Sequence, residues 1–176
     1  MCFPEGVNSI AIFGPACTGK STVADEMGKI LDCQVRHCGE IIKAKARASG
    51  ITPRDLSDQD HHKIDLETVK FTEMRELRRI VEGGFLDLVL RNVTNAIFIR
   101  LKCDETERRN RYQAKGVVIP STLEERDNQD AALKSRLYPG ILPITDRIIE
   151  ITTTDKSPQD TAVEIVDAIK NSINMA

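Results

Sequence analysis

Ser9-Ile10-Ala11-Ile12-Phe13-Gly14-Pro15-Ala16-Cys17-Thr18-Gly19-Lys20-Ser21-Thr22-Val23 decides how this chain folds. Its first five residues are a short apolar run stopped by Gly14-Pro15, the pattern of a strand buried on both faces. Beyond the turn, Val23, Met27, Ile30 and Leu31 recur at helical spacing and predict an amphipathic helix. Between strand and helix, residues 14–21 match G-x-x-x-x-G-K-[ST]. Glycines allow a tight turn that aims successive N–H groups at phosphate oxygens, and the helix starting near Gly19 adds the positive end of its dipole. Lys20 can bridge the β- and γ-phosphates of ATP, and the Ser21 hydroxyl can ligate Mg²⁺. Gly14, Pro15, Ala16, Cys17, Thr18, Gly19, Lys20, Ser21 and Thr22 are therefore the predicted ATP-binding residues. The competing reading, a chance Gly-rich turn, leaves the flanking strand and helix unexplained.

Outward from this loop, strands alternate with helices. Extended segments are expected at Gln34–Arg36, Ile80–Glu82, Ala96–Ile99 and Ile148–Ile151. Helices are expected over 39–49, over a strongly polar stretch from Ser57 to about Arg79, from Asp104, from Ser121 and from Pro158. Asp104 with Glu107, and Ser121 with Glu124, have the spacing of reciprocal helix caps. Ala162, Ile165, Val166, Ile169 and Ile173 form one apolar stripe on the last helix. The alternation predicts an α/β fold: a three-layer, doubly wound, parallel five-stranded sheet whose ligands sit at the carboxyl ends of the strands.

The 176 residues suit a single domain, with no internal repeat or Gly/Ser linker to divide it. Lys and Arg number 25 against 27 Asp and Glu, so no charge excess points to nucleic acid or a membrane surface. No apolar stretch has the length of a membrane span, and the opening MCFPEGVNSIAIFG lacks the marks of a signal peptide. Cys2, Cys17, Cys33, Cys38 and Cys103 are odd in number, without a CxxC pair, and read as thiols of a cytoplasmic protein. The absence of N-K-x-D or T-K-x-D argues against a Ras-like GTPase, and the length leaves little room for a mechanical ATPase. A small kinase fits best.

Phosphoryl transfer between two anions needs late-placed positive charge, and the planar arginine fork grips phosphate oxygens in pairs. Arg108, Arg111 and Lys115 share one face of the helix after Asp104, and Arg126, Asp127, Asp130, Lys134 and Arg136 follow. Gly116-Val117-Val118-Ile119-Pro120 between them reads as a hinge. Functionally this is a lid over two substrates, keeping water from the γ-phosphate. The plainer reading is a solvated helix pair with interhelical ion pairs.

The order of GPACTGKST (14–22), HCGEIIKAKARASG (37–50), DHHKID (60–65), IVEGGFLD (80–87), ETERRNRYQAK (105–115) and ERDNQDAALKSRLY (125–138) resembles the cytidylate kinases of the nucleoside monophosphate kinase family, especially its short archaeal-type branch. The resemblance implies a phosphate-loop kinase with an acceptor-binding helical insertion at about 38–79 and a lid at about 104–136. It implies ATP and Mg²⁺, nucleotide substrates with CMP or dCMP as acceptor, and a monomer or homodimer. Gly39, Glu40, Lys43, Asp65, Gly83, Arg126, Asp127 and Asp130 would bind the acceptor. Glu82 would order Mg²⁺ and water, while Lys20, Arg108, Arg111 and Arg126 would be catalytic. His37, at a strand end, and Glu40 and Asp65 also have purely structural readings. Two positions depart from the family: Gly84 and Leu133 stand where arginines are expected, and Lys43 replaces a third. The acceptor could accordingly be a modified nucleotide or a metabolite. A nucleotide-dependent binding module is the alternative of another class.

Overall fold

β1 (Ser9–Phe13) is buried along its whole length and forms the centre of the sheet. Its side chains alternate between two cores. Ile10 and Ile12 pack with Val23, Met27, Leu101 and Ile165, whereas Ala11 and Phe13 pack with Val81, Leu86, Leu90 and Phe98. A computed structural model describes residues 6–116 and 122–174, the side chains of 173 and 174 excepted.

In chain order β1 is followed by α1 (Lys20–Leu31), β2 (Gln34–His37), α2 (Cys38–Ala48), α3 (Asp58–Glu73), β3 (Arg79–Glu82) and α4 (Leu86–Val89). Then come β4 (Ala96–Lys102), α5 (Glu105–Gln113), α6 (Leu123–Leu137), β5 (Ile148–Thr152) and α7 (Pro158–Asn174). The five strands lie in the order β2-β3-β1-β4-β5, and every described pairing is parallel. The chain leaves β1 toward β2 on one side and leaves β3 toward β4 on the other. That reversal opens a crevice at the strands' carboxyl ends, where the 14–21 loop lies. The expected three-layer, doubly wound fold is the one observed.

Several local expectations are corrected. The helix after Ser57 ends at Glu73, and Arg79 belongs to β3, paired with Ser9. Arg79 looks like a surface residue in sequence, yet it is buried. Its guanidinium donates to Met74 O at 2.8 Å and Leu77 O at 3.0 Å, satisfying the carbonyls of the α3–β3 connection. Asp104 is the N-cap residue of α5, but its side chain makes no cap bond. Its backbone N–H donates to Thr154 Oγ1 instead, and Glu107 accepts from Arg111. Thr122, not Ser121, caps α6 by accepting from Glu125 N at 3.1 Å. Ser121 and the hinge residues Val117 to Pro120 lie outside the described residues, as does the Ile173 side chain. Ile30 is exposed, and Lys115 falls beyond the end of α5 on the surface. The start of α7 matches its chemistry better: Ser157 Oγ accepts from Asp160 N at 3.0 Å, as a serine before proline should. Among the described residues, no helix is long and apolar enough to cross a membrane.

Candidate active site

The 14–21 loop is shaped by backbone geometry that side chains resist. Gly14 has φ 141°, and a Cβ there would stand 2.4 Å from Leu101 O of β4. Cys17 and Gly19 are also left-handed, at φ 62° and 87°. Gly19 caps α1 with no side-chain bond, and the first turn of α1 holds no acidic residue. The helix N-terminus therefore faces the loop with its donors uncompensated by side chains, as an anion cradle requires. Thr18, fully buried, donates to Pro15 O at 3.0 Å, and Thr22 Oγ1 donates to Gly19 O at 2.9 Å.

Lys20 folds back over this cradle and donates to Pro15 O at 2.7 Å. Crowding by protein pushes its pKa down to about 8, against the opposing pull of Glu82 and Asp130. An ammonium so placed gains most from a phosphate, which would restore the charge partner that burial denies it. Ser21 Oγ donates to Glu82 Oε1 at 3.2 Å. Glu82, buried at the end of β3, also faces His37 Nδ1 at 3.2 Å, and His37 Nε2 lies 3.0 Å from Asp25 Oδ1. His37 thus has the structural place expected of it, and it fixes Glu82. A hydroxyl backed by a buried carboxylate fits Mg²⁺, whose remaining ligands in such sites are phosphate oxygens and water. Among the described residues there is no cluster of three or more His, Cys, Asp or Glu that could hold a metal without them.

Both expected arginines of α5 reach the loop. Arg108 Nε donates to Ala16 O at 2.8 Å, and its Nη2 donates to both carboxylate oxygens of Asp127 at 2.7 Å. Arg111 Nε donates to Glu107, while its two Nη atoms donate to Thr153 Oγ1 at 3.1 Å and Thr153 O at 2.8 Å. Thr153 in turn donates to Thr18 O at 3.0 Å, tying the β5–α7 connection to the phosphate loop. Arg108–Asp127 is the interhelical ion pair that the solvated-pair reading of α5 and α6 expects, and the Arg108 bond to Ala16 O ties α5 to the loop as well. Asp127 consequently holds Arg108. Arg126 Nε donates to Asp130 Oδ2 at 2.9 Å, and Arg54 from the α2–α3 connection stands 3.6 Å from Asp130 Oδ1.

The remaining predicted acceptor residues are spread along the crevice. Asp65 accepts from Tyr138 Oη at 2.7 Å, and burial raises the pKa of its carboxyl. Phe85 and His62 flank the Tyr138 ring edge-on. Gly83 has no room for a side chain, since a Cβ would lie 3.2 Å from Cys38 Cβ, but Gly39 and Gly84 face open space. Glu40 and Lys43 pair with each other at 2.8 Å on an exposed face of α2, and Glu40 lines a shallow cavity together with His37. Asp87 of α4 is buried, bonded through Oδ2 to Lys134 at 3.3 Å and orphaned at Oδ1. Sequence reasoning missed Asp25, Arg54, Asp87, Tyr138 and Thr153. Asp25 alone had a signal, four residues after Ser21 and so on the same face of α1.

A family model described as an AAA domain matches residues 10–134. The chain belongs to that AAA-domain family. The match runs from β1 through the phosphate loop to α6, so it includes the loop and both helices that lean on it. No curated protein matches in sequence. Among solved structures, a gluconokinase from Sinorhizobium meliloti superposes with TM-score 0.68 at 17% identity, over 99% of this chain and 96% of that one. A shikimate kinase from Acinetobacter baumannii, in complex with shikimate, gives TM-score 0.63 at 17% identity, covering 94% of each chain. A thymidylate kinase from Candida albicans gives 0.57 at 13% identity, over 100% and 96%. This AAA-domain chain therefore has the kinase-like P-loop fold, shared with proteins named for a sugar acid, shikimate and a nucleotide.

Proposed function

We propose that the chain transfers the γ-phosphate of ATP to a small phosphorylated acceptor, a nucleoside monophosphate of which CMP and dCMP are the expected members. One observation carries the reading. Ser21 of the loop is bonded to the buried Glu82 of β3, and Arg108 of α5 bridges Ala16 O of the loop to Asp127 of α6, the residue beside the Arg126–Asp130 pair. A nucleotide-binding module has no use for a second set of arginines tied to the loop, whereas a phosphoryl-transfer site uses them to meet charge on both substrates.

The residues divide the work. Backbone N–H groups of the 14–19 turn and the α1 N-terminus would bind the phosphate tail, with Lys20 exchanging Pro15 O for phosphate oxygens. Ser21, backed by Glu82, would hold Mg²⁺, which when bound neutralises charge on the transferring group. Arg126 supplies charge on the acceptor side, and Arg108, fixed by Asp127, keeps α6 against the loop and excludes water. Asp65 and the orphaned Asp87 Oδ1 are acceptors for hydroxyl or amine hydrogens of the second substrate.

A second reading keeps the chemistry and changes the acceptor to a metabolite without a nucleobase. Its support is the open space at Gly84 and the mutual pairing of Lys43 and Glu40, which remove two expected phosphate ligands. Coupled measurement of ADP release with CMP, dCMP, UMP, AMP, dTMP, gluconate and shikimate separates the two. Stimulation by CMP or dCMP at least tenfold above the acceptor-free rate is the expected result. Stimulation by gluconate or shikimate alone selects the second reading, and release indifferent to every acceptor contradicts both.

A further inference from the structure

Arg54 lies in the connection between α2 and α3, in a turn that is unusually well fixed for a surface loop. Thr52 Oγ1 donates to Asp55 Oδ2 at 2.7 Å, Asp55 N donates to Thr52 O at 3.0 Å, and the next residue, Leu56, is 2% exposed. This turn aims the guanidinium inward, where Nε and Nη2 are both buried and neither has a hydrogen-bond partner. Asp130 does not satisfy them: at 3.6 Å it is beyond hydrogen-bond reach, and its other oxygen is occupied by Arg126. Arg54 thus carries two buried donors without hydrogen bonds side by side on its fork, with Asp130 in ion-pair range of Nη2, and that pair of donors is the pattern that takes two oxygens of one oxyanion. Burial and the neighbouring Arg126 charge also press its pKa down, so an anion there would relieve both.

We propose that Arg54, with Arg126, binds the phosphate group of the acceptor, in place of the guanidiniums absent at Gly84 and Leu133. Arg54 thereby joins the α2–α3 connection to α6 through Asp130. The inference rests on the kinase reading above, and its test is made independent of turnover.

The test is equilibrium dialysis of radiolabelled inorganic phosphate against the full chain loaded with the non-hydrolysable analogue AMP-PCP and Mg²⁺. Wild type is expected to bind phosphate. Arg54→Gln should bind it at least tenfold more weakly, with AMP-PCP affinity within twofold. Arg54→Lys, which keeps the charge but loses the fork, should fall between them, and it replaces the Gln variant if that one melts early. Phosphate affinity equal in wild type and Arg54→Gln overturns the proposal, as does no phosphate binding by wild type, or equal loss of AMP-PCP. Should phosphate bind as expected while no acceptor stimulates ADP release, the kinase reading fails and the Arg54 site stands. Should CMP stimulate release while Arg54→Gln binds phosphate normally, only the Arg54 assignment fails.

Discussion

The phosphate loop and the acceptor side of the crevice are built by different means. In the loop, three consecutive structural units, β1, the 14–19 turn and α1, place every group by local backbone geometry. On the proposed acceptor side the side chains come from separate elements: Asp65 from α3, Asp87 from α4, Arg126 and Asp130 from α6, and Tyr138 from the α6 C-cap. The loop can hardly vary without failing. On the proposed reading, the acceptor side exchanges one arginine for another from a different element, and the position of the charge is what it keeps.

The comparison breaks most visibly at Lys20. Lys20→Met should lower acceptor-dependent turnover by at least 10²–10³-fold, the usual cost of losing one preorganised charge donor. Retention of more than a tenth of the wild-type rate in the ADP-release assay would remove Lys20 from the site. Paired glycine variants sharpen the contrast. Gly14→Ala should destabilise the fold by about 1–3 kcal/mol in urea unfolding, because its Cβ would meet Leu101 O at 2.4 Å. Gly84→Ala, facing open space, should stay within about 0.5 kcal/mol of wild type. Equal losses at both positions would mean that the two sides are equally constrained.

The same contrast explains what could be read before the structure was in hand. The 9–23 stretch carries strand, turn and helix in adjacent residues, so the fold and the tight turn of the loop are legible from periodicity and one motif. Arg108 and Arg111 were legible too, because their three-residue spacing on a helix survives into the structure as a shared approach to the loop. Arg79 was misplaced because its polarity resembles the surface of α3, and only the carbonyls it satisfies across space explain its burial in β3. Arg54, Asp87 and Tyr138 had no local signal at all. Each becomes informative only once a distant partner, Asp130, Lys134 or Asp65, is brought to it by the crossover connections.

The account stands on the claim that residues 14–21 grip a triphosphate with Lys20 charged, and calorimetric titration of ATP across pH tests it most directly. Lys20 in the free protein loses its proton as pH rises through about 8, whereas a bound phosphate would hold the proton on. Tighter binding at lower pH follows from that sign. Affinity should fall about tenfold between pH 7 and pH 9, with proton uptake on binding near pH 8 and beyond. Lys20→Met should bind weakly and without that slope. ATP affinity that is flat from pH 7 to 9, or a slope that persists in Lys20→Met, would contradict the account.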